Sequence, residues 1–194
     1  MHPVIGVLAL QGGFAAHKRM LRGLGADVRE VRVPGDLEGL DGLVIPGGES
    51  TTMTLGIERE GLAQPLRELA AGGTPILGTC AGLIMLDREH LQIMDIEARR
   101  NAFGRQVRSF EADIELDELG GPPLRAVFIR APWIAWHGDD VEILASVDGH
   151  PIAARQDNLL AVAFHPELGH DTRVHERFLA MCGLSRAGRS GGAA

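Results

Sequence analysis

Four short apolar runs, each closed by a glycine or proline turn, constrain this chain more than any other feature: residues 4–10, 42–46, 75–78 and 159–163. A strand that is apolar on both faces must be covered on both faces, as in a parallel sheet packed between helices. Between the first two runs, Phe14, His17, Met20, Leu21 and Leu24 share one helical face, and Gly25 supplies a stop. Residues 28–33 alternate as another strand, and residues 52–71 have the pattern of one helix. Strand and helix alternating at such short spacing predict βαβ units. The expected fold is therefore α/β: a single-domain three-layer sandwich with a mostly parallel central sheet flanked by helices.

The second half changes character. Residues 107–116, 124–130, 141–147, 150–156 and 159–164 have strand patterns with little helix between them. Some should pair antiparallel, 141–147 with 150–156 around Asp148-Gly149 being the clearest case. A closing helix is expected over about residues 172–182. The tail, 185–194, has no apolar periodicity and is expected to be disordered, leaving residues 1–184 as one domain. With 194 residues, no internal repeat and no linker, the chain suits a single core.

Charge narrows the function. A net charge of −7 argues against a nucleic-acid binder, which would carry a basic face. No apolar run reaches membrane-spanning length, and the first residues lack the pattern of a signal peptide. The 2 cysteines, Cys80 and Cys182, form neither a disulfide framework nor a CxxC pair. A soluble, reduced, cytoplasmic protein is expected.

Gly78-Thr79-Cys80-Ala81-Gly82 follows a buried run and precedes an apolar helical start. This G-x-C-x-G pattern is the thiol counterpart of the nucleophile elbow, in which a strained strand-to-helix turn presents the nucleophile and flanking glycines allow close backbone packing. The helix that follows also favours negative charge on the sulfur. The bland alternative is a small buried hydrophobe, the commoner fate of a free cysteine.

Phe164-His165-Pro166-Glu167 favours the chemical reading. It follows the last apolar strand, so His165 should emerge at a strand end, where α/β sites lie. A thiol nucleophile needs a base, and the base needs a carboxylate on its other nitrogen. His165 and Glu167 can supply both. His165, Glu167, His170 and His175 lie close in sequence, but they lack H-E-x-x-H spacing, so neither a metal nor a cofactor is expected. Pro46-Gly47-Gly48-Glu49-Ser50-Thr51-Thr52 ends another strand. Its glycines can aim backbone N–H groups at an oxyanion, with Ser50 or Thr51 capping the next helix.

Six segments in order resemble the glutaminase subunits of pyridoxal 5′-phosphate synthases, a family of the class I (triad) glutamine amidotransferases. They are Leu10-Gln11-Gly12, the 46–53 loop, Gly78-Thr79-Cys80-Ala81-Gly82-Leu83-Ile84, Arg100-Asn101-Ala102-Phe103-Gly104-Arg105-Gln106, Phe128-Ile129-Arg130-Ala131-Pro132 and Phe164-His165-Pro166-Glu167-Leu168. The resemblance spans about residues 3–182. It implies that Cys80 attacks the side-chain amide of L-glutamine to form a thioester, with His165 as base then acid and Glu167 as orienter. It also implies glutamine contacts from Gly47, Gly48, Glu49, Arg100, Ile129 and Arg130. The partner it implies is a barrel-shaped synthase subunit, one per glutaminase, that takes the ammonia and builds the vitamin from pentose and triose phosphates. Two departures stand out: Arg99 precedes Arg100-Asn101 where the family has glutamate, and the stretch between Leu86 and Asp95 is short.

Two other readings compete. One is a glutaminase serving another synthase, such as that making imidazole glycerol phosphate, against which the 100–106 and 128–132 segments argue. The other is a catalytically silent scaffold or regulatory module, against which the intact Cys80, His165 and Glu167 argue.

Overall fold

The computed structural model describes residues 2–100 and 109–190, with side chains as far as Gly183. Most of the Arg-Asn-Ala-Phe-Gly-Arg-Gln segment, residues 101–106, lies outside this range. The first half comprises β1 (Val4–Leu8), α1 (Phe14–Gly23), β2 (Asp27–Val31), β3 (Gly42–Ile45), α2 (Ser50–Arg59), α3 (Ala63–Ala71), β4 (Ile76–Thr79) and α4 (Ala81–Leu86). The second half comprises β5 (Ile96–Arg99), β6 (Ser109–Ile114), β7 (Leu124–Ile129), β8 (Trp133–His137), β9 (Glu142–Val147), β10 (His150–Gln156), β11 (Leu159–Val162) and α5 (Arg173–Ser190).

A seven-stranded sheet runs in the order β2-β1-β3-β4-β11-β10-β9. Its β2-β1-β3-β4-β11 portion is parallel throughout. Strand β10 runs against both β11 and β9. The fold is thus the expected one, a mostly parallel sheet flanked by helices with antiparallel pairing in the second half. Ile5, Val7, Leu43, Val44, Ile45, Ile76 and Leu77 are wholly inaccessible, as two-sided burial of the central strands requires. At the edge, β2 alternates between exposed and covered positions, which is why residues 28–33 alternate in sequence. Helix α5 sits directly on β3: a Cβ on Gly42 would come 2.9 Å from Phe178 Cζ, so only glycine fits there.

The β9–β10 hairpin turns at Asp148 and Gly149, both with positive φ, 50° and 77°. That pair of left-handed residues matches the twist of the flanking strands. The single helix expected over 52–71 is two helices. Gly61, at φ 68°, ends the first, and Leu62 is fully buried at the start of the second. Strands β5 and β8 pair with each other, Ile96 opposite His137. The sequence gives no sign of them, because Ile96 and Ile134 alone are buried on strands this short. Strands β6 and β7 form a second antiparallel pair. Finally, α5 continues past Cys182 to Ser190, so the backbone of 185–190 is helical where a frayed tail was expected. The segment has no proline, and a helix that has already begun crosses the one glycine, Gly188, at a cost of about 1 kcal/mol. Residues 191–194 of that tail lie outside the described range.

Candidate active site

Strands β3, β4 and β11 are neighbours, with Ile45 opposite Gly78 and Val162 opposite Thr79. Their carboxyl ends therefore deliver Gly47-Gly48, Cys80 and His165 to one place, the edge at which α/β sheets bind ligands. Cys80 takes φ 50° and ψ −109°, a strained conformation for a residue with a Cβ and the one an elbow demands. Its amide donates to Val162 O at 2.8 Å, fixing the turn to β11. Both flanking glycines are obligatory. A Cβ on Gly82 would overlap the carbonyl oxygen of Ile45, and one on Gly78 would come 2.7 Å from Gly82 O. Cys80 is 6% exposed, and its thiol lies 3.7 Å from Ile129 O.

His165 is held at both ends. Its amide donates to Val127 O at 2.8 Å, and its Nδ1 meets Glu167 Oε1 at 2.8 Å across the rigid Pro166. Nε2 is left for the sulfur, as a base of this kind requires. Burial pulls the imidazole pKa down, but hydrogen bonds to Cys80 and Glu167 outweigh it and raise the value to about 10. Glu167 is itself buried, and burial pushes its pKa up. The donors His165 and His17 more than reverse that push, so the carboxyl lies well below its ordinary range and stays ionised. The imidazole can therefore hold the proton that the thiol gives up and pass it to a leaving amine.

Beside the sulfur lies a cavity of about 250 Å³, lined by Gly48, Glu49, Cys80, Arg100, Ile129, Arg130 and His165 among others. Five of the six residues expected to contact glutamine thus line one cavity with the thiol. The sixth, Gly47, backs it: a Cβ there would lie 2.6 Å from His165 Cε1 and 3.1 Å from Cys80 Cβ. Arg100 donates to Ser50 Oγ at 3.2 Å and to Thr51 Oγ1 at 3.0 Å. Among the described residues neither Arg100 nor Arg130 pairs with a carboxylate. The cavity therefore has two cations available for an anionic group.

The helix cap differs from expectation. Neither Ser50 nor Thr51 caps α2; Glu49 does, accepting from Thr51 N at 3.0 Å and Thr52 N at 2.7 Å. The helix begins at Ser50, two residues before the start of its pattern at residue 52, which leaves Glu49 extended at the N-cap. Hydrogen bonds from the Thr52 hydroxyl and amide, then from Thr51, lower its carboxyl pKa to about 2. Sequence reasoning also gave Gln11 no role. Its side chain clasps the loop, donating to Glu49 O at 2.9 Å and accepting from Glu49 N at 3.3 Å. Ser50, Ala81, Ile84 and Pro132 complete the lining; all four lie within the motif segments, but none was expected to contact glutamine.

Of the histidines near His165, His170 is exposed, while His175 is buried and turned toward His17. Among the described residues no group of three or more histidine, cysteine or acidic side chains is placed to hold a metal ion. No helix among them is long and apolar enough to cross a membrane.

A cysteine on a strand-to-helix elbow, backed by a histidine–carboxylate pair at the carboxyl edge of a parallel sheet, defines a thiol-dependent amidotransferase of the triad class. The chain belongs to the SNO glutamine amidotransferase family, whose model matches residues 7–184. A pyridoxal 5′-phosphate synthase subunit PdxT of Parafrankia sp. (strain EAN1pec) is 51% identical, with 97% of this chain and 98% of that protein covered. Its counterpart from Herpetosiphon aurantiacus is 52% identical, with 91% and 99% covered. A crystal structure of a glutamine amidotransferase superposes with a TM-score of 0.87 at 42% identity, covering 92% of this chain and 98% of that one. A chain of the PurLQS structure from Thermotoga maritima shares the fold, with a TM-score of 0.74 at 16% identity, covering 93% of this chain and 99% of that one.

Proposed function

We propose that this chain hydrolyses L-glutamine through a thioester on Cys80 and hands the ammonia to a pyridoxal 5′-phosphate synthase subunit for vitamin B6 synthesis. The observation that carries the chemistry is the Cys80–His165–Glu167 row opening onto a cavity whose two guanidinium groups have no carboxylate partner among the described residues. The partner rests on what the near full-length relatives are called.

Arg100 and Arg130 hold the α-carboxylate of glutamine, a pairing guanidinium groups favour. Ile129 and the Gly48-Glu49 edge position the side-chain amide against the sulfur. With the thiol proton already resting on His165, whose raised pKa keeps the imidazole protonated, sulfur bonds to the amide carbon, and the resulting oxyanion faces backbone N–H groups of the Gly47-Gly48 turn. As the tetrahedral species collapses, the C–N bond breaks and His165 gives its proton to the departing ammonia. Water, deprotonated by the same imidazole, then cleaves the thioester to glutamate and restores the thiol. Glu167 keeps the imidazole oriented throughout. The chemistry needs no cofactor. The domain that performs it is residues 1–184, it works in the cytoplasm, and one copy serves each synthase subunit.

The test combines the chain with the synthase subunit, pentose and triose phosphates and glutamine, and follows the vitamin's absorbance. Glutamine should replace ammonium salts as nitrogen source, and Cys80→Ala should remove that ability while melting like the wild type. Formation from ammonium salts alone, with glutamine inert, would overturn the reading.

A further inference from the structure

A second histidine lies behind Glu167, and the triad chemistry does not use it. His17, on α1, is wholly buried. Its Nε2 is 3.2 Å from Glu167 Oε2 and 3.1 Å from Thr79 Oγ1. Its Nδ1 is 2.9 Å from Nε2 of His175 on α5, which is also wholly buried. Resting on the glutaminase reading above, we propose that His17 is a positioning residue whose Nε2–H holds the second carboxylate oxygen of Glu167. A row from α5 through α1 thereby fixes the orienter of the His165 base.

The proton directions follow from what each atom can do. A carboxylate only accepts, so we place the hydrogen on the nitrogen facing Glu167 Oε2; it is aligned on Thr79 Oγ1 at 3.1 Å and lies 3.2 Å from the carboxylate oxygen. Nδ1 of His17 is then a lone pair and accepts from His175 Nε2–H. That leaves His175 Nδ1 as a bare lone pair, and it is indeed buried without a hydrogen-bond partner. The opposite assignment would set a lone pair of His17 against the carboxylate. It would also bury an N–H of His175 with nothing to receive it, the costlier fault.

The hold has a mechanical purpose. The terminal torsion of a glutamate is broad, so the contact between Oε1 and His165 does not fix the carboxylate plane. Oε2 is buried without a hydrogen-bond partner among the described residues, and the cationic or N–H-bearing group beside it is His17, at 3.2 Å. On the other side, a Cβ on Gly13 would lie 3.2 Å from Glu167 Oε1, so the loop entering α1 closes in on that oxygen.

The groups facing Glu167 set the expected pH effect. His165 stands toward the thiol, His17 comes from α1 and His175 from α5 beyond it. Arg19 and His170 line an open cleft behind it, and Arg125 on β7 is engaged by Glu111 and Asp113. Burial pushes the Glu167 pKa up while His165 and His17 pull it down. Without His17 the carboxylate should protonate at higher pH, and the acid limb of activity should move upward with it.

The test uses the full chain with its synthase partner. His17→Leu should lower kcat about 10–100-fold with KM little changed, and shift the acid limb of the kcat/KM profile to higher pH. His17→Gln, which can still present an N–H, should recover much of kcat and return the limb toward wild type. Equal losses in both variants with the acid limb unmoved would reduce His17 to packing and overturn the proposal, as would an unimpaired His17→Leu. Should His17→Leu fail to fold, nitrogen-15 histidine spectra of the wild-type protein decide. His17 carrying a proton on Nε2 supports the hold, and a bare Nε2 overturns it. A wild-type complex without glutamine-dependent activity would sink the glutaminase reading instead, and the spectra would still judge His17.

Discussion

The amide of Gly13 donates to the carbonyl of Gly47 across 3.2 Å, tying the loop after β1 to the turn that backs the thiol. A trans peptide is rigid, so this one bond also sets where the Gly48 N–H points. Turning that peptide over would cost the bond, worth about 1 kcal/mol, while glycines on both sides offer little steric resistance. If a synthase subunit binds the turned form better, it switches the oxyanion donor on. One such donor is worth roughly 3 kcal/mol, or about two orders of magnitude in rate. The isolated chain should therefore show weak glutaminase activity and strong stimulation by its partner. By linkage, glutamine should tighten the complex. Rates with and without partner, and the Kd of the Cys80→Ala variant with and without glutamine, check both. Full activity in the isolated chain would rule the switch out.

Substitutions at the elbow should separate chemistry from folding. Cys80→Ala should abolish hydrolysis and leave the melting temperature near wild type, and His165→Asn should lose nearly as much, since triad members act as a unit. Gly82→Ala is different, because its Cβ would overlap Ile45 O, a backbone atom at the carboxyl end of β3. It should destabilise the fold by several kcal/mol, on the order of other overpacking and strain defects. Urea unfolding of the three variants tests this ranking.

The two guanidinium groups should act on binding. Arg100→Gln and Arg130→Gln should each raise KM for glutamine by roughly 10–100-fold, with a smaller effect on kcat, because the α-carboxylate is held alike in ground and transition states. Steady-state kinetics of the complex provide the check. A fall in kcat at unchanged KM would move these residues out of the substrate's grip.

Stability should peak near neutrality. Burial lowers the pKa of His175 from 6.5 to about 3. The unfolded chain therefore takes up that proton first, and stability is lost as pH falls through this window. Glu167, whose pKa is depressed, adds a loss as pH falls below its ordinary 4.5. His165, raised from 6.5 to about 10, contributes stability that is full below pH 6.5 and is lost as pH climbs toward 10. Each unit of displacement is worth up to about 1.4 kcal/mol. Urea midpoints followed from about pH 4 to about pH 10 should trace a maximum, and His175→Gln should flatten the acid side. An unchanged acid slope in that variant would refute the assignment to His175.

The sheet was legible in the sequence, and so were the local signals that single out Cys80, His165 and Glu167 as candidates. Two-sided apolar runs can be satisfied only inside a covered parallel sheet, and β1, β3, β4 and β11 fall on those runs. The glycine pair around Cys80, the Asp148-Gly149 turn and the short His165-Pro166-Glu167 step are local geometry, written in neighbouring residues. Tertiary structure decided what depends on distant contacts. Strands β5 and β8 form because each finds the other, Gln11 meets Glu49 because β1 lies beside β3, and Glu49 caps α2 because the turn before it is drawn in toward Gly13. His17 is the sharpest case. On sequence it is one polar position on the buried face of an amphipathic helix; packing of α1 and α5 against the sheet sets it between Glu167 and His175. Periodicity reports which side of an element is buried, but the partner met there is fixed only when separate elements close on one another.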